Sequence, residues 1–278
     1  MLSYRHAYHA GNHADVIKHL TQALIFEALG KKDKPYCYID THAGGVHYDL
    51  NSAEARKTGE AIEGIHQVFD HPLLPASYRQ AIVDCNDKGQ PEQYPGSPAI
   101  AQAFQREQDH IVLMELHNNE VANVKRQTRR WHNTVIHHRD GFEGLPAILP
   151  PTPKRGLVLI DPSYEIKTDY TKTAKAVKKA YQRWSTGIYA VWYPILIADR
   201  SRFLLDAIEQ SGIKRILVAE ILREAKSDEE FGMLGSGMLI INPPYQLDQK
   251  LEKILPALAK SMLGETAVAD VKWLVGEE

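Results

Sequence analysis

The strongest constraint on this chain is a series of short apolar runs, several closed by an acid and spaced by helix-length segments. They are YCYID (36–40), IVLMEL (111–116), TVIHH (134–138), GLVLID (156–161), GIYAVWY (187–193), KRILVAEI (214–221) and GMLIIN (237–242). Near-continuous apolar runs of this length read as strands buried on both faces. Helical patterning lies between them, from Pro98 to Arg106, over 118–131, about 171–184 and about 199–211. Alternating strands and helices predict an α/β fold, a mostly parallel sheet with helices on both faces. In such sheets ligands lie beyond the carboxyl ends of the strands. The informative residues are therefore those just past each run.

Upstream, residues 1–11 carry Tyr4, Arg5, His6, Tyr8 and His9 without apolar periodicity. The segment reads as a tail rather than a core element, suited to closing over a bound ligand. A helix follows, with Asn12 as cap, Asp15 in its first turn, and Val16, Ile17, Leu20, Leu24 and Ala28 as its apolar stripe. Gly30 is placed to stop it. Lys18 and His19 fall mid-helix, positioned as on a lid over the sheet edge. Residues 48–95 have scattered charge, Pro72 and Pro75, and no convincing buried strand. The expected division is 1–47 (tail, lid helix and first strand), 48–95 (inserted helical subdomain) and 96–278.

Lys+Arg is 33 against 35 Asp+Glu, a formal charge of −2. That excludes a globally basic coat but not a local basic face. Two segments are locally basic: Lys125, Arg126, Arg129 and Arg130, and Lys167, Lys172, Lys175, Lys178, Lys179 and Arg183. Two cysteines, Cys37 and Cys85, suit a reducing cytosol. His6, His9, His13 and His19 crowd the N-terminus but do not make a tetrahedral metal set, so no metal is expected. No apolar run reaches the ~18 residues of a membrane span. The expectation is a cytoplasmic protein with no membrane partner.

The chemistry is concentrated at four strand ends. Asp40-Thr41-His42-Ala43-Gly44-Gly45 is a tight turn that lets backbone approach a ligand. Glu115 ends the next run, where a carboxylate can accept from both ribose hydroxyls of a nucleoside. Asp140-Gly141-Phe142 follows the third, where a carboxylate can accept from an adenine amine. Asp40, Glu115 and Asp140 thus outline an adenosine-type ligand along one sheet edge. Asp161-Pro162-Ser163-Tyr164 follows GLVLI. An exocyclic adenine amine is a poor nucleophile, because its lone pair is delocalised into the ring. The Asp161 carboxylate and the Pro162 carbonyl can both accept from it and aim the lone pair at an electrophilic methyl group. Tyr164 can stack on the base. A second motif of the same type, Asn242-Pro243-Pro244-Tyr245, follows the last apparent strand and is expected toward the far edge of the sheet.

These features resemble the Rossmann-like class I S-adenosylmethionine-dependent methyltransferases, and within them the RlmJ family of 23S rRNA adenine-N6 methyltransferases. SYRHAYHAGNHADVIKH (3–19), DTHAG (40–44), YPGSP (94–98), ELH (115–117), DGF (140–142), IDPSYE (160–165) and TGIYAVWYP (186–194) carry the resemblance. It implies cofactor contacts by His19, His42, Ser97, Glu115, Asp140, Gly141 and Asp161, to which the glycine turn adds Gly44 as a candidate. It also implies catalysis at Asp161 and substrate contact near Tyr4; from the residues themselves, Pro162 and Tyr164 join Asp161 as candidate catalytic residues, and His6, Lys18 and Tyr164 join Tyr4 as candidate substrate contacts. The implied substrate is an adenine of 23S rRNA, flipped or already unstacked, and the expected state is a monomer. Two positions depart from the family pattern. Val46 replaces a glycine, which implies a shifted loop over the methionine moiety, and Ser163 replaces a proline in the reactive turn. The alternatives are methylation of DNA adenine and an RNA-binding relative with weakened catalysis.

Overall fold

The computed structural model describes residues 5–87, 89–225 and 232–277. A 3-10 turn, His6–Tyr8, leads to α1 (His13–Gly30) and β1 (Cys37–Asp40). Next come β2 (His47–Asp49), α2 (Ala53–Thr58), α3 (Glu60–Glu63), α4 (Ile65–Val68), α5 (Ala76–Val83) and β3 (Gln93–Pro95). Then follow α6 (Ser97–Phe104), β4 (His110–Glu115), α7 (Asn118–Thr128), β5 (Thr134–His138), α8 (Gly141–Ile148), β6 (Gly156–Ile160) and α9 (Thr168–Arg183). The chain finishes with β7 (Ile188–Leu196), α10 (Ser201–Glu209), β8 (Ile216–Leu222), β9 (Met233–Ile241), α11 (Leu247–Leu263) and β10 (Val268–Val275).

The main sheet has the order β10-β8-β9-β7-β6-β1-β4-β5. β1 pairs in parallel with β4 and β6, β4 with β5, and β6 with β7. β9 runs antiparallel between β7 and β8, and β10 pairs antiparallel with β8. The strand order reverses at β1, the switch point at which a sheet of this kind opens a ligand crevice. Successive residues of β1 face opposite cores: Tyr38 packs with α1 and α11, Ile39 with α8 and α9.

Five features differ from the sequence expectation. β2 and β3 pair antiparallel and close the segment expected to be purely helical. They are three residues each, too short for a periodic signal. α8, α11 and β10 are absent from the sequence expectation. Pro146 and Pro256 interrupt the two helical patterns, and β10 is a half-exposed edge strand. α1 is not a lid. Its residues 14–26 are all buried, so it forms a core layer. Gly30 is the last helical residue and Lys31 the cap. From residue 5 onward the N-terminus is not a loose tail either. Gly11 N–H donates to Asp15, the Gly11 carbonyl accepts from Ile65 N–H, and His9 Nδ1 lies 2.8 Å from Glu60. Polar bonds hold it where apolar periodicity is lacking.

Candidate active site

Parallel register brings the carboxyl ends of β1, β4 and β6 level, with Asp40 beside Leu113 and Leu159. The loop after β1 is pinned between its neighbours, as Thr41 N–H donates to the Leu159 carbonyl and Ala43 N–H to that of Met114. Gly44 then takes φ +59°, a left-handed conformation that favours glycine. Its N–H donates to Glu115 Oε2 at 2.9 Å, while His117 N–H donates to Oε1 at 2.7 Å. Glu115 therefore ties the glycine turn to the end of β4, with lone pairs to spare toward the cleft. Asp140 caps α8, its Oδ1 accepting from Phe142 N–H and Glu143 N–H. Gly141 is demanded by packing, since a Cβ there would meet the Thr41 carbonyl oxygen at 2.0 Å.

The resulting cleft is lined by His6, Lys18, His19, His42, Gly44, Ser97, Glu115, Asp140, Gly141, Asp161 and Pro162, all expected from the sequence. Tyr4 lies outside the described residues. A second cavity is lined by His6, His9, Asp15, Lys18, Asp161, Ser163, Tyr164 and Trp192, among others. The two cavities share His6, Lys18, Asp161 and Ser163. Tyr164 lines the second cavity and not the cleft. It is buried at φ +53°, its hydroxyl donates to the Trp192 carbonyl, and its ring lies 4.5 Å from that of Tyr170. A non-glycine residue held in that region is strained, and such strain gathers at functional sites.

Three expectations are corrected here. Asp40 does not reach the cleft. It is fully buried and accepts from Ser97 Oγ at 2.6 Å and Tyr38 Oη at 2.7 Å, so it positions Ser97. Val46 is fully buried in the core and does not line the cleft. The Asn242-Pro243-Pro244-Tyr245 motif is excluded by direction. β9 lies inside the sheet but runs antiparallel to β7, so its end emerges at the opposite edge, where Asn242 donates to the Ser185 and Gly187 carbonyls.

The sequence reading misses the polar links behind the site. Lys18 Nζ lies 2.6 Å from Asp161 Oδ2 and 2.8 Å from Asp15 Oδ1, and Asp15 Oδ2 lies 2.9 Å from His6 Nε2. Burial alone would strip the Lys18 proton, but the two carboxylates outweigh it and hold the ammonium well above the ordinary lysine range. His19 is buried, with Nδ1 2.8 Å from Tyr94 Oη, which in turn lies 2.7 Å from Tyr78 Oη. Its Nε2 is buried without a protein partner. Burial, then the charge of Lys18, keeps this ring neutral. In the sequence Asp15 signals only a helix-dipole residue, and Tyr94 only a part of YPGSP.

Buried groups set the acid response of the fold. Burial pushes His13 down to about 4 and also lowers His19 and His42. As pH falls below 6.5, their ordinary value, the unfolded chain takes up protons that the fold refuses, so stability falls. Asp40 acts oppositely: burial raises it to about 6, so the fold gains that proton before the unfolded chain does. Three histidines against one carboxylate leave a net loss, each unbalanced proton contributing about 1.4 kcal/mol per pH unit. The melting temperature should fall steadily from neutral pH toward 4. A flat profile over that window would contradict the buried-histidine assignment.

Residues 33–275 match the family model described as "Ribosomal RNA large subunit methyltransferase D, RlmJ". The chain is 44% identical over 281 residues to ribosomal RNA large subunit methyltransferase J of Escherichia coli, and 42% identical over 282 residues to that of Haemophilus influenzae. Both alignments cover the whole of each chain. The crystal structure of protein LPL1258 from Legionella pneumophila superposes with a TM-score of 0.89 at 35% identity, covering 97% of this chain and 99% of that one. Together with a Rossmann-like sheet whose crevice opens at its switch point, these matches show that the chain belongs to the RlmJ family of ribosomal RNA large subunit methyltransferases.

Proposed function

We propose that the chain methylates N6 of one specific adenine in 23S rRNA, and that Asp161 and Pro162 receive the amine. The supporting observation is the junction: the cleft and the second cavity meet at Asp161, which places one acceptor between two chambers. S-adenosylmethionine is the methyl donor of this family; when bound it supplies a methyl group activated by a sulfonium charge.

The residues of the cleft fit that cofactor. Glu115 offers free lone pairs for ribose hydroxyls, and Asp140 Oδ2 for an adenine amine. His42 and Phe142, in edge contact at 4.9 Å, offer ring surface. The buried, unpartnered Nε2 of His19 and the N-terminus of α6 at Ser97 suit the amino-acid end. At the junction, Asp161 accepts from Lys18 through Oδ2 and keeps Oδ1 for the adenine amine. With Asp15, the group Asp15–Lys18–Asp161 carries one net negative charge, which opposes the positive charge that develops on the attacking nitrogen. Tyr164 and Trp192 form an aromatic wall on the second cavity for a flipped base. Ser163 lacks the ring constraint of proline, yet Asp161 stays at the junction, with Pro162 on the cleft and Tyr164 on the second cavity. The protein acts as a monomer on RNA.

Glu115→Ala should raise the S-adenosylmethionine KM and calorimetric Kd about ten-fold or more, with a smaller change in kcat. It removes interactions made equally in ground and transition states, and it frees the Gly44 turn. An unchanged Kd would remove Glu115 from the cofactor site. The function itself is tested by labelled methyl transfer from S-adenosylmethionine to protein-free 23S rRNA, assembled large subunits and DNA. Transfer to RNA is expected. Transfer to DNA alone would replace the substrate, and cofactor binding without turnover would make the chain an RNA-binding relative.

A further inference from the structure

We propose that the exposed face of α9 is the track for the RNA backbone beside the target nucleotide, an inference that rests on the RNA-methylating reading above. Lys172, Lys175, Lys179 and Arg183 follow one another at three- and four-residue steps and are all exposed. That spacing puts them on one stripe of the helix. At 1.5 Å per residue the stripe is about 16 Å long, enough for several phosphates. Lys178 flanks it.

The pattern is not explained by helix stability. Asp169 is the only acid in α9, and it stands 3.5 Å from Lys172. Among the described residues no carboxylate pairs with Lys175, Lys178 or Lys179. Like charges at these spacings repel, and a cation near the helix start, such as Lys172, opposes the macrodipole. The opposite face cannot take the charge, because Tyr170, Thr173, Ala174, Val177 and Ala180 are buried there. A polyanion relieves both costs at once.

Position identifies the polyanion. Asp169 and Lys172 line the same cleft as Asp161, so the stripe begins in the cleft that Asp161 shares with the second cavity and leads away from it. A phosphodiester chain continuing from a nucleotide held there would lie along it. The other basic segment is different. Lys125, Arg126, Arg129 and Arg130 lie at the end of α7, where cations favour the dipole, and Arg126 bonds Asn123. α7 starts at the cleft edge, after β4, so its last turn is the part farthest along from the site. That segment serves as an internal control.

The test uses the full chain and protein-free 23S rRNA, with binding measured at several salt concentrations beside methylation kinetics. Removing one lysine–phosphate pairing should flatten the log K against log salt slope by about 0.7–0.9. Lys175→Gln/Lys178→Gln/Lys179→Gln should therefore flatten it by about 2 and raise the RNA KM roughly ten-fold or more. Its kcat and S-adenosylmethionine Kd should match wild type, and Arg126→Gln/Arg129→Gln/Arg130→Gln should change none of these. An unchanged slope and KM in the lysine variant would overturn the track, as would equal effects from the two variants. Unchanged RNA binding with abolished retention on phosphatidylserine vesicles would overturn it in favour of a membrane surface. Wild-type methylation of RNA decides the functional reading separately, because the salt slopes of the variants are read in binding and need no turnover.

Discussion

Asp161→Asn should cut methyl transfer by ten- to a hundred-fold while the protein still folds and binds its cofactor. A hydrogen bond to a charged group contributes ~1.5–3 kcal/mol, and each 1.4 kcal/mol is a factor of about ten in rate. The substitution keeps the shape of the side chain and removes the charge. It therefore weakens the hold on the adenine amine and the counterweight to its developing positive charge. On the proposed role of Asp161, the loss should appear in kcat rather than in the S-adenosylmethionine Kd, as for any interaction made mainly in the transition state. Lys18 retains Asp15 as a partner at 2.8 Å, so the fold keeps a paired cation at the junction. Full activity in Asp161→Asn, with activity abolished in Asn242→Ala, would mean that the reactive motif is at the other end of the sheet.

The second large effect is expected from Lys18→Met, and it falls on stability as well as rate. Lys18 is buried between Asp15 and Asp161, whose side chains are 1% and 17% exposed. Removing the cation between these two carboxylates leaves uncompensated buried charge, a change that costs about 3–5 kcal/mol in comparable cases. Methyl transfer should fall at least as far as in Asp161→Asn, because the ammonium no longer orients the carboxylate. The sign with pH is diagnostic. In wild type, burial would raise Asp15, but His6 and the charge of Lys18 win and hold it well below the ordinary carboxylate value. That pairing stabilises the fold above 3.8, and the stabilisation is lost only as pH falls through the lowered value. In Lys18→Met the burial of Asp15 is no longer offset by that ammonium, so the stability deficit should shrink as pH falls toward the carboxylate range. Adding Asp161→Asn to Lys18→Met should recover part of the loss, because one of the stranded charges is gone. Denaturant midpoints at two pH values check both statements. Additive losses with no pH trend would mean that the three side chains do not act as one group.

What can be read from the sequence depends on how locally each feature is encoded. Glu115, Asp140 and Asp161 are legible because each ends a strand or follows it by one or two residues, and parallel sheets put strand ends together. Asp40 follows the same rule and misleads, since nothing local distinguishes a carboxylate that lines a cleft from one that anchors Ser97. The Lys18–Asp161 pair joins residues 143 apart, and His19–Tyr94 residues 75 apart. No periodicity reports such pairings. The helix α1 is legible as a helix but not as a core layer, because its apolar stripe hides Asp15, Lys18 and His19, which are buried by pairing or hydrogen bonding rather than by apolarity. Lateral position alone sets the Asn242 motif aside in the sequence, whereas the decisive property is strand direction. Only the antiparallel register of β9 reveals it.

The most direct measurement is the chemical identity of the methylated nucleoside. Protein-free 23S rRNA is incubated with the enzyme and methyl-labelled S-adenosylmethionine, digested completely, and its nucleosides are separated by mass. The junction at Asp161 predicts that the label is found in N6-methyladenosine, at one site per RNA molecule, and that Asp161→Asn lowers that peak without creating another. Label in a ring-carbon methyladenosine, in a ribose methyl, or in a nucleoside other than adenosine would contradict the assignment of Asp161 and Pro162 as acceptors of an adenine amine.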